Sequence, residues 1–328
     1  MRRSLVLVAV LAVLAAGTAS AARRDTTLSL VAYSVPTAVY PKLIAAYQAT
    51  PQGRNVKFAT SFAGSEVQAK AVVAGLPADV VNFSLQPDMD ELVRAGLVAK
   101  TWDANPYRGI VSKSVVVFVL HDGNPKHIRT WDDLVKPGVQ VVLPNPFLSG
   151  GARWDVLAAY GSQLREGKTP KQALAYLQQL FEHVVSQDTS ARNAQNTFLA
   201  GRGDVLIDYE SNAKLAQSQG RPIFYLIPEA TLQIETPIAA VDGSNRAAAQ
   251  RFVTWLTAPA AQTIWAQNGF RSVVPSVEKR FAAQFPPRPL LFTISWLGGW
   301  SKLNPRFFDP TNGIVAKIEQ GLGVSTGG

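Results

Sequence analysis

The alternation of short apolar strands with helices is the feature that most constrains the fold of this chain. A predicted strand at Thr27–Ala32 precedes an amphipathic helix, and a second strand at Val56–Ala59 leads to a helix that opens at Ser65 with a Ser-x-x-Gln capping box. A buried strand at Ala78–Phe83 and a helix at Met89–Gly96 follow. This order predicts an α/β fold in which helices flank a mostly parallel sheet.

Two longer extended segments interrupt the alternation. Ser114–Leu120 is the most strand-like run, the strand and helix pattern then resumes, and Thr236–Val241 is a second extended run. Two such crossings predict two lobes with a cleft between them. The expected division is a first lobe at 23–113, an inserted second lobe at 114–237, and a return to the first lobe at 238–328 with a C-terminal segment packing across both lobes.

The N-terminus predicts export. Met1–Arg3 is charged, Leu5–Ala16 is apolar and Ala19–Ala21 is small, which is the pattern of a secretory signal peptide ending near residue 22. The chain has no cysteine, so disulfides, thiolate metal sites and a lipid-modified cysteine are excluded. We therefore expect a periplasmic protein that is not anchored to the membrane.

Charge gives little evidence for a macromolecular partner. The formal charge of +9 falls to +7 without Arg2 and Arg3, and the remaining basic residues are scattered. We therefore expect no nucleic acid partner, although a basic field does attract small anions.

The segment Pro144–Gly161 contains the most informative helix start. A buried strand at Val139–Leu143 leads through a proline-rich turn to a helix with Ser149 as the predicted N-cap, followed by Gly150 and Gly151. The two glycines give up roughly 2 kcal/mol of helix stability relative to alanine. Open access of an anion to the first N–H groups would explain them, and so would a flexible entry to the helix. At this point both interpretations stay open.

Serines also stand at other predicted helix starts, at Ser34, Ser65 and Ser190. Serine is a common N-cap, which is the structural explanation for any one of them. The functional explanation is that helix starts and the carboxyl ends of strands gather at one edge of an open α/β sheet, where ligands bind. Several such starts facing one cleft would suit a compact anion.

Catalytic motifs are absent from the sequence. It has no Gly-x-Ser-x-Gly elbow, no phosphate loop and no zinc helix, and its three histidines include His121 and His127 beside a turn. Asp208 and Glu210 bracket Tyr209 at a strand end, where strand alternation would put both carboxylates on one face. We expect no catalytic residue, no cofactor and no metal.

Two arginines follow the helix-capping serines. Arg153 and Arg192 are each expected to brace a turn through backbone carbonyls, with direct contact to a ligand as the alternative.

A group of motifs, taken together in their order and spacing, resembles the periplasmic sulfate/thiosulfate-binding proteins of ABC importers. They are Pro-Asn-Pro with Ser-Gly-Gly-Ala-Arg-Trp in 144–154, Gly-Asn-Pro-Lys at 123–126, Asn-Thr-Phe at 196–198, Gly-Asp-Val-Leu-Ile at 203–207, Asn-Gly-Phe-Arg at 268–271 and Gly-Gly-Trp at 298–300. The resemblance implies a two-lobed periplasmic-binding-protein fold of type II. It implies a sulfate shell of Ser34, Ser65, Ser149, Gly150, Gly151, Ala191 and Tyr209, with Arg153 and Arg192 behind it.

The chain departs from the family pattern at two positions. Ser34 stands where these proteins usually have an acidic residue, and Tyr209 stands where they often have a tryptophan donor. A serine preserves a contact made by the main-chain N–H. A tyrosine hydroxyl can donate as an indole does, but it can also accept.

The function implied by the resemblance is capture of sulfate, or of thiosulfate, by a monomer that delivers it to the permease subunits of an ABC importer without performing a reaction. The alternatives are a binder of molybdate or phosphate, and an exported hydrolase or transferase acting on a phosphorylated or sulfated substrate. A surface interaction module that uses the aromatic residues Trp296 and Trp300 is a third.

Overall fold

The structure is a computed structural model that describes residues 25–288 and 290–324. The predicted signal peptide at 1–22 lies outside the described residues. Strands are present at β1 (Thr26–Tyr33), β2 (Val56–Ala63), β3 (Val80–Asn82), β4 (Ile110–His121), β5 (Val141–Val142), β6 (Val184–Ser186), β7 (Val205–Tyr209), β8 (Ile223–Leu226), β9 (Ala230–Ala240) and β10 (Leu290–Phe292).

The α-helices alternate with these strands in the first two thirds of the chain and follow one another near its end. They are α1 (Tyr40–Gln48), α2 (Ser65–Val73), α3 (Gln86–Arg94), α4 (Gly150–Arg165), α5 (Pro170–Glu182), α6 (Ala191–Leu199), α7 (Glu210–Ser218), α8 (Arg246–Leu256), α9 (Pro259–Gln267), α10 (Pro275–Arg280), α11 (Trp300–Phe308) and α12 (Ile314–Gly321). Short 3-10 helices lie at Val35–Ala38, Trp131–Val135 and Ala282–Gln284.

The strands form one mixed sheet that has two parallel parts, one in each lobe. Its order is β2-β1-β3-β9-β4-β7-β5-β6, with β10 paired to β9 and β8 paired to β4. β1 is parallel to β2 and β3, and β5 is parallel to β6 and β7. The predicted α/β architecture with flanking helices is confirmed.

Two long strands connect the lobes. β4 pairs with β9 over residues 110–115 and with β7 and β8 over residues 116–121, while β9 reaches β3 at its far end. Both lie where the sequence predicts extended crossings. β9 starts earlier than the predicted segment, at Ala230, and ends at Ala240.

The core lies on both faces of this sheet, and α4 lies at its centre. The first fourteen residues of α4, Gly150–Gln163, are all buried, so the helix is enclosed on every side. Most of these residues are small or apolar, as a helix packed all round requires, and Arg153, Asp155 and Gln163 are the buried polar exceptions. None of the described helices is long and apolar enough to cross a membrane.

The structure corrects two local predictions. Gly64, not Ser65, is the N-cap of α2, and the Gln68 amide donates to Ser61 Oγ instead of closing a capping box. The strand predicted at Val139–Leu143 shortens to Val141–Val142, because the N–H of Val139 closes a turn on the carbonyl oxygen of Lys136 and Pro144 has no N–H to extend the ladder.

The aromatic C-terminal segment is largely packed. α11 lies against α3 and α12 against α5. Trp300 is 7% exposed and its ring meets that of Trp154 at a centroid distance of 4.9 Å, whereas Trp296 is 47% exposed. One of the two tryptophans named for a surface interaction module is therefore a core residue.

Candidate functional site

The start of α4 is buried and has no cap. Ser149 occupies the N-cap position, yet its side chain makes no capping hydrogen bond. Within the described residues, no hydrogen bond is recorded for the N–H groups of Gly150, Gly151 and Ala152, although all three residues are buried. Buried helix N–H groups without partners are destabilising, and together with the helix dipole they form a place for an anion.

The starts of α2 and α6 lie beside that of α4. A Cβ atom built on Gly64, the N-cap of α2, would lie 2.4 Å from the carbonyl oxygen of Leu148 and 2.7 Å from that of Thr189. A Cβ atom built on Gly151 would lie 3.1 Å from Cβ of Ala191, the first residue of α6. Three helix starts from two lobes therefore meet at one point, and the space between them admits little beyond backbone.

The hydroxyl of Ser65 is hydrogen-bonded within the protein. It donates to Asp88 Oδ2 and accepts from the N–H of Ser84 at 2.8 Å, so its only proton is already used. Burial raises the pKa of Asp88 to about 7, although the hydrogen bond from Ser65 lowers it. Ser65 can therefore contribute only its main-chain N–H to a ligand.

Tyr209 reaches the site from the end of β7. A Cβ atom on Gly151 would lie 3.0 Å from Cε2 of Tyr209, and the Tyr209 hydroxyl lies 2.6 Å from Ser84 Oγ. Trp154 Nε1 donates to both the carbonyl oxygen and the hydroxyl of Ser84, at 3.1 Å each. Sequence reasoning missed Ser84; its position directly after the predicted strand Ala78–Phe83 was the available signal.

Ser34 and Arg192 connect the lobes beside α6. The main-chain N–H of Arg192 lies 3.4 Å from Ser34 Oγ, which accepts from it. The Arg192 guanidinium donates to the carbonyl oxygen of Val35 at 3.0 Å and to Gln195 Oε1 at 2.6 Å. Burial lowers the pKa of Arg192, and the charge of Asp208 opposes that effect.

Arg153 is almost fully buried behind the start of α4. Its guanidinium forms an ion pair with Glu66 of α2 and donates to the carbonyl oxygen of Pro146 and to Asn304 Oδ1, at 2.8 Å each. Burial lowers the pKa of Arg153 to about 10. All these partners are protein atoms, so the guanidinium holds the turn before α4 and ties α2 to it.

The two carboxylates around Tyr209 do not share a face, so that prediction is wrong. β7 ends at Tyr209, and Glu210 begins α7, where its carboxylate pairs with Arg271 at 2.7 Å. Asp208 instead accepts from the N–H of Tyr209 and from Asn212, and burial raises its pKa to about 7. A change from strand to helix replaced the alternation that the prediction assumed.

The histidines make contacts elsewhere. His121 Nε2 lies 3.0 Å from the carbonyl oxygen of Gly203, and His183 Nδ1 lies 2.8 Å from that of Val139. His127 is exposed.

The family of the chain is settled by comparison with known proteins. Residues 28–271 match the model of the bacterial extracellular solute-binding protein family. The chain belongs to this family. A sulfate-binding protein of Synechococcus elongatus is 38% identical over 305 residues, which cover 90% of this chain and 87% of that protein.

Two further comparisons find sulfate- and thiosulfate-binding proteins similar to this chain. A thiosulfate-binding protein of Pseudomonas aeruginosa is 35% identical over 90% of this chain and 93% of its own length. Among solved structures, the sulfate-binding protein SubI from Mycobacterium tuberculosis H37Rv superposes with a TM-score of 0.84, at 43% identity over 87% of this chain and all of that one. The resemblance to sulfate/thiosulfate-binding proteins and the two-lobed type II fold are confirmed.

Proposed function

We propose that this protein captures sulfate between its lobes and delivers it to an ABC importer. The observation that carries the proposal is the buried, uncapped start of α4, where the N–H groups of Gly150, Gly151 and Ala152 have no recorded partner in the described part of the chain. A dianion would satisfy these donors and interact favourably with the helix dipole. The names of the relatives support the choice of anion.

The proposed ligand shell contains the residues implied by the resemblance, but Ser65 and Ser34 have more limited roles in it. Ser149 offers a hydroxyl that no cap uses, whereas Ser65 offers its N–H alone. Ser34 contributes indirectly, because its hydroxyl accepts a hydrogen bond from the N–H of Arg192. The N–H of Ala191 then remains for the ligand. The remaining members are Gly150, Gly151 and Tyr209, while Arg153 and Arg192 stay behind the shell.

The donors also favour sulfate over phosphate. Sulfate has no proton near neutral pH, whereas phosphate retains one and needs an acceptor for it. A polar group that is buried at the phosphate complex without a hydrogen-bond partner costs about 1–3 kcal/mol, which is roughly a tenfold to hundredfold loss of phosphate affinity. Thiosulfate is also a dianion, with three oxygen acceptors and a larger sulfur atom in place of the fourth, and it is the second ligand we propose.

We infer a periplasmic monomer that performs no reaction. The inference of no reaction is supported by the serines of the site, which have no histidine beside them in the contacts described above. The inferred lobe boundaries, 23–113, 114–237 and 238–328, are supported by the way β4 and β9 pair with strands of both lobes.

Calorimetric titration of the anion-stripped mature protein tests the proposal. Sulfate should bind one-to-one with micromolar or tighter affinity, and phosphate at least roughly tenfold more weakly. Gly151→Val should weaken sulfate binding, because the added side chain meets Tyr209 and Ala191; Gly243→Val, at a position with nothing within 4 Å, is the control. If thiosulfate or molybdate binds much more tightly than sulfate, the ligand is reassigned; if no oxyanion binds, the function is withdrawn.

A further inference from the structure

A buried chain of hydrogen bonds crosses between the lobes at the site. Trp154 Nε1 donates to Ser84, and Ser84 Oγ lies 2.6 Å from the Tyr209 hydroxyl. The three side chains are at most 1% exposed. Ser84 follows β3 in the first lobe, whereas Tyr209 ends β7 in the second, so this contact joins the two lobes.

The direction of the chain follows from the available protons. Trp154 can only donate, and Ser84 and Tyr209 have one hydroxyl proton each. If Tyr209 donated to Ser84, the Ser84 proton would have no recorded acceptor among residues 25–288 and 290–324, and the remaining lone pair of Tyr209 would face the anion. If Ser84 donates to Tyr209, the Ser84 proton has an acceptor in the Tyr209 oxygen. The Tyr209 proton is then free to be donated to the anion.

We propose that Ser84 is a positioning residue that makes the Tyr209 hydroxyl a donor toward the bound anion and thereby disfavours a protonated anion oxygen at this position. This inference rests on the proposed function and adds to it the residue that sets selectivity. Ser84 occupies the accepting side of Tyr209, so a proton on the ligand finds no acceptor there. Burial raises the pKa of Tyr209 well above its usual value, so the hydroxyl keeps its proton.

The proposal explains how tyrosine can serve at this position despite its ability to accept. The Tyr209 oxygen accepts its hydrogen bond from Ser84, and the Tyr209 proton is donated into the cleft. Without Ser84, the Tyr209 hydroxyl could turn and accept a proton from phosphate. Removal of Ser84 should therefore change which anion binds as well as how tightly anions bind.

The test compares sulfate and phosphate affinities by calorimetry at about pH 8, where phosphate carries one proton. Ser84→Ala should weaken sulfate binding roughly three- to tenfold, the loss expected for one neutral hydrogen bond. Phosphate binding should stay unchanged or tighten, so the selectivity ratio falls by at least that factor. The control is Ser114→Ala, another buried serine, whose hydroxyl has no hydrogen-bond partner among the described residues; its ratio should equal that of the wild type.

Tyr209→Phe separates positioning from packing. Phenylalanine neither donates nor accepts, so sulfate and phosphate should weaken together, and adding Ser84→Ala to Tyr209→Phe should leave the ratio unchanged. Ser84→Cys, which keeps a weak donor, should give an intermediate ratio and serves if Ser84→Ala does not fold. A wild-type ratio in the Ser84 variants, with sulfate still bound, overturns this inference alone. Absence of sulfate binding by the wild type overturns the proposed function and this inference together.

Discussion

Gly150→Ala is the substitution that most sharply tests whether the lobes close on the anion. A Cβ atom on Gly150 would lie 2.7 Å from Cβ and 2.8 Å from Oγ of Ser84, and 2.9 Å from Cγ of Leu85. Favourable carbon contacts lie at about 3.5–4.0 Å, so the first lobe must move away from α4 by roughly 0.8 Å or more.

The size of the effect follows from that overlap. Overpacking by one methyl group costs about 1–3 kcal/mol, and here the cost falls only on the closed arrangement of the lobes. Sulfate affinity should therefore drop roughly fivefold to 150-fold. The ligand-free protein should lose no stability if its lobes are open, because the added methyl then meets solvent and alanine favours the helix.

Calorimetry and thermal unfolding, each with and without sulfate, measure the two parts of this prediction. Gly150→Ala should unfold near the wild-type temperature without sulfate and show a smaller rise when sulfate is added. Gly243→Ala, with open space around the new Cβ atom, should match the wild type in both states. Sulfate affinity within twofold of the wild type in Gly150→Ala would refute the reasoning that closure brings α4 against Ser84.

Three further predictions concern the residues around the site. Ser149→Ala should leave the urea midpoint of the ligand-free protein unchanged and weaken sulfate binding in calorimetry, because the Ser149 hydroxyl does not cap α4. Ser190→Ala should lower the free energy of unfolding by about 1 kcal/mol in urea, because the Ser190 hydroxyl does cap α6. Glu66→Gln should lower the urea midpoint of the sulfate-saturated protein by an amount equivalent to about 3–5 kcal/mol, because it strands the buried Arg153 guanidinium; an unchanged midpoint would contradict this. Burial holds the pKa of Asp208 at about 7, so the folded protein keeps a proton that the unfolded chain loses near pH 4. Stability should therefore fall as pH rises between about 4 and 7, and Asp208→Asn should reduce that slope by up to about 1.4 kcal/mol per pH unit in urea titrations; equal slopes would contradict the assignment.

Much of the fold could be predicted because its signals are local. The spacing of apolar residues located α1 and α3, and the run of β-branched residues located β4. The serine and two glycines at the start of α4 also follow from a local pattern. The short strands β8 and β10 were missed, because each is fixed by its neighbour in the sheet more than by its own sequence.

The arrangement of the site depends on contacts that no local pattern contains. Ser84 meets Tyr209 across 125 residues, and this contact joins the two lobes. Ser65 matches a capping box in sequence, but the buried carboxyl of Asp88, 23 residues away, takes its proton. In both cases a tertiary partner competes with the local one and decides which hydroxyls remain free for a ligand.

The most direct test of the central claim is a sulfate titration of the 15N-labelled protein followed through its backbone amide resonances. The account predicts saturation at one sulfate per protein, with the largest downfield shifts at Gly150, Gly151 and Ala191, because their N–H groups gain hydrogen bonds to an anion. Saturable sulfate binding that leaves these three resonances unmoved would contradict it.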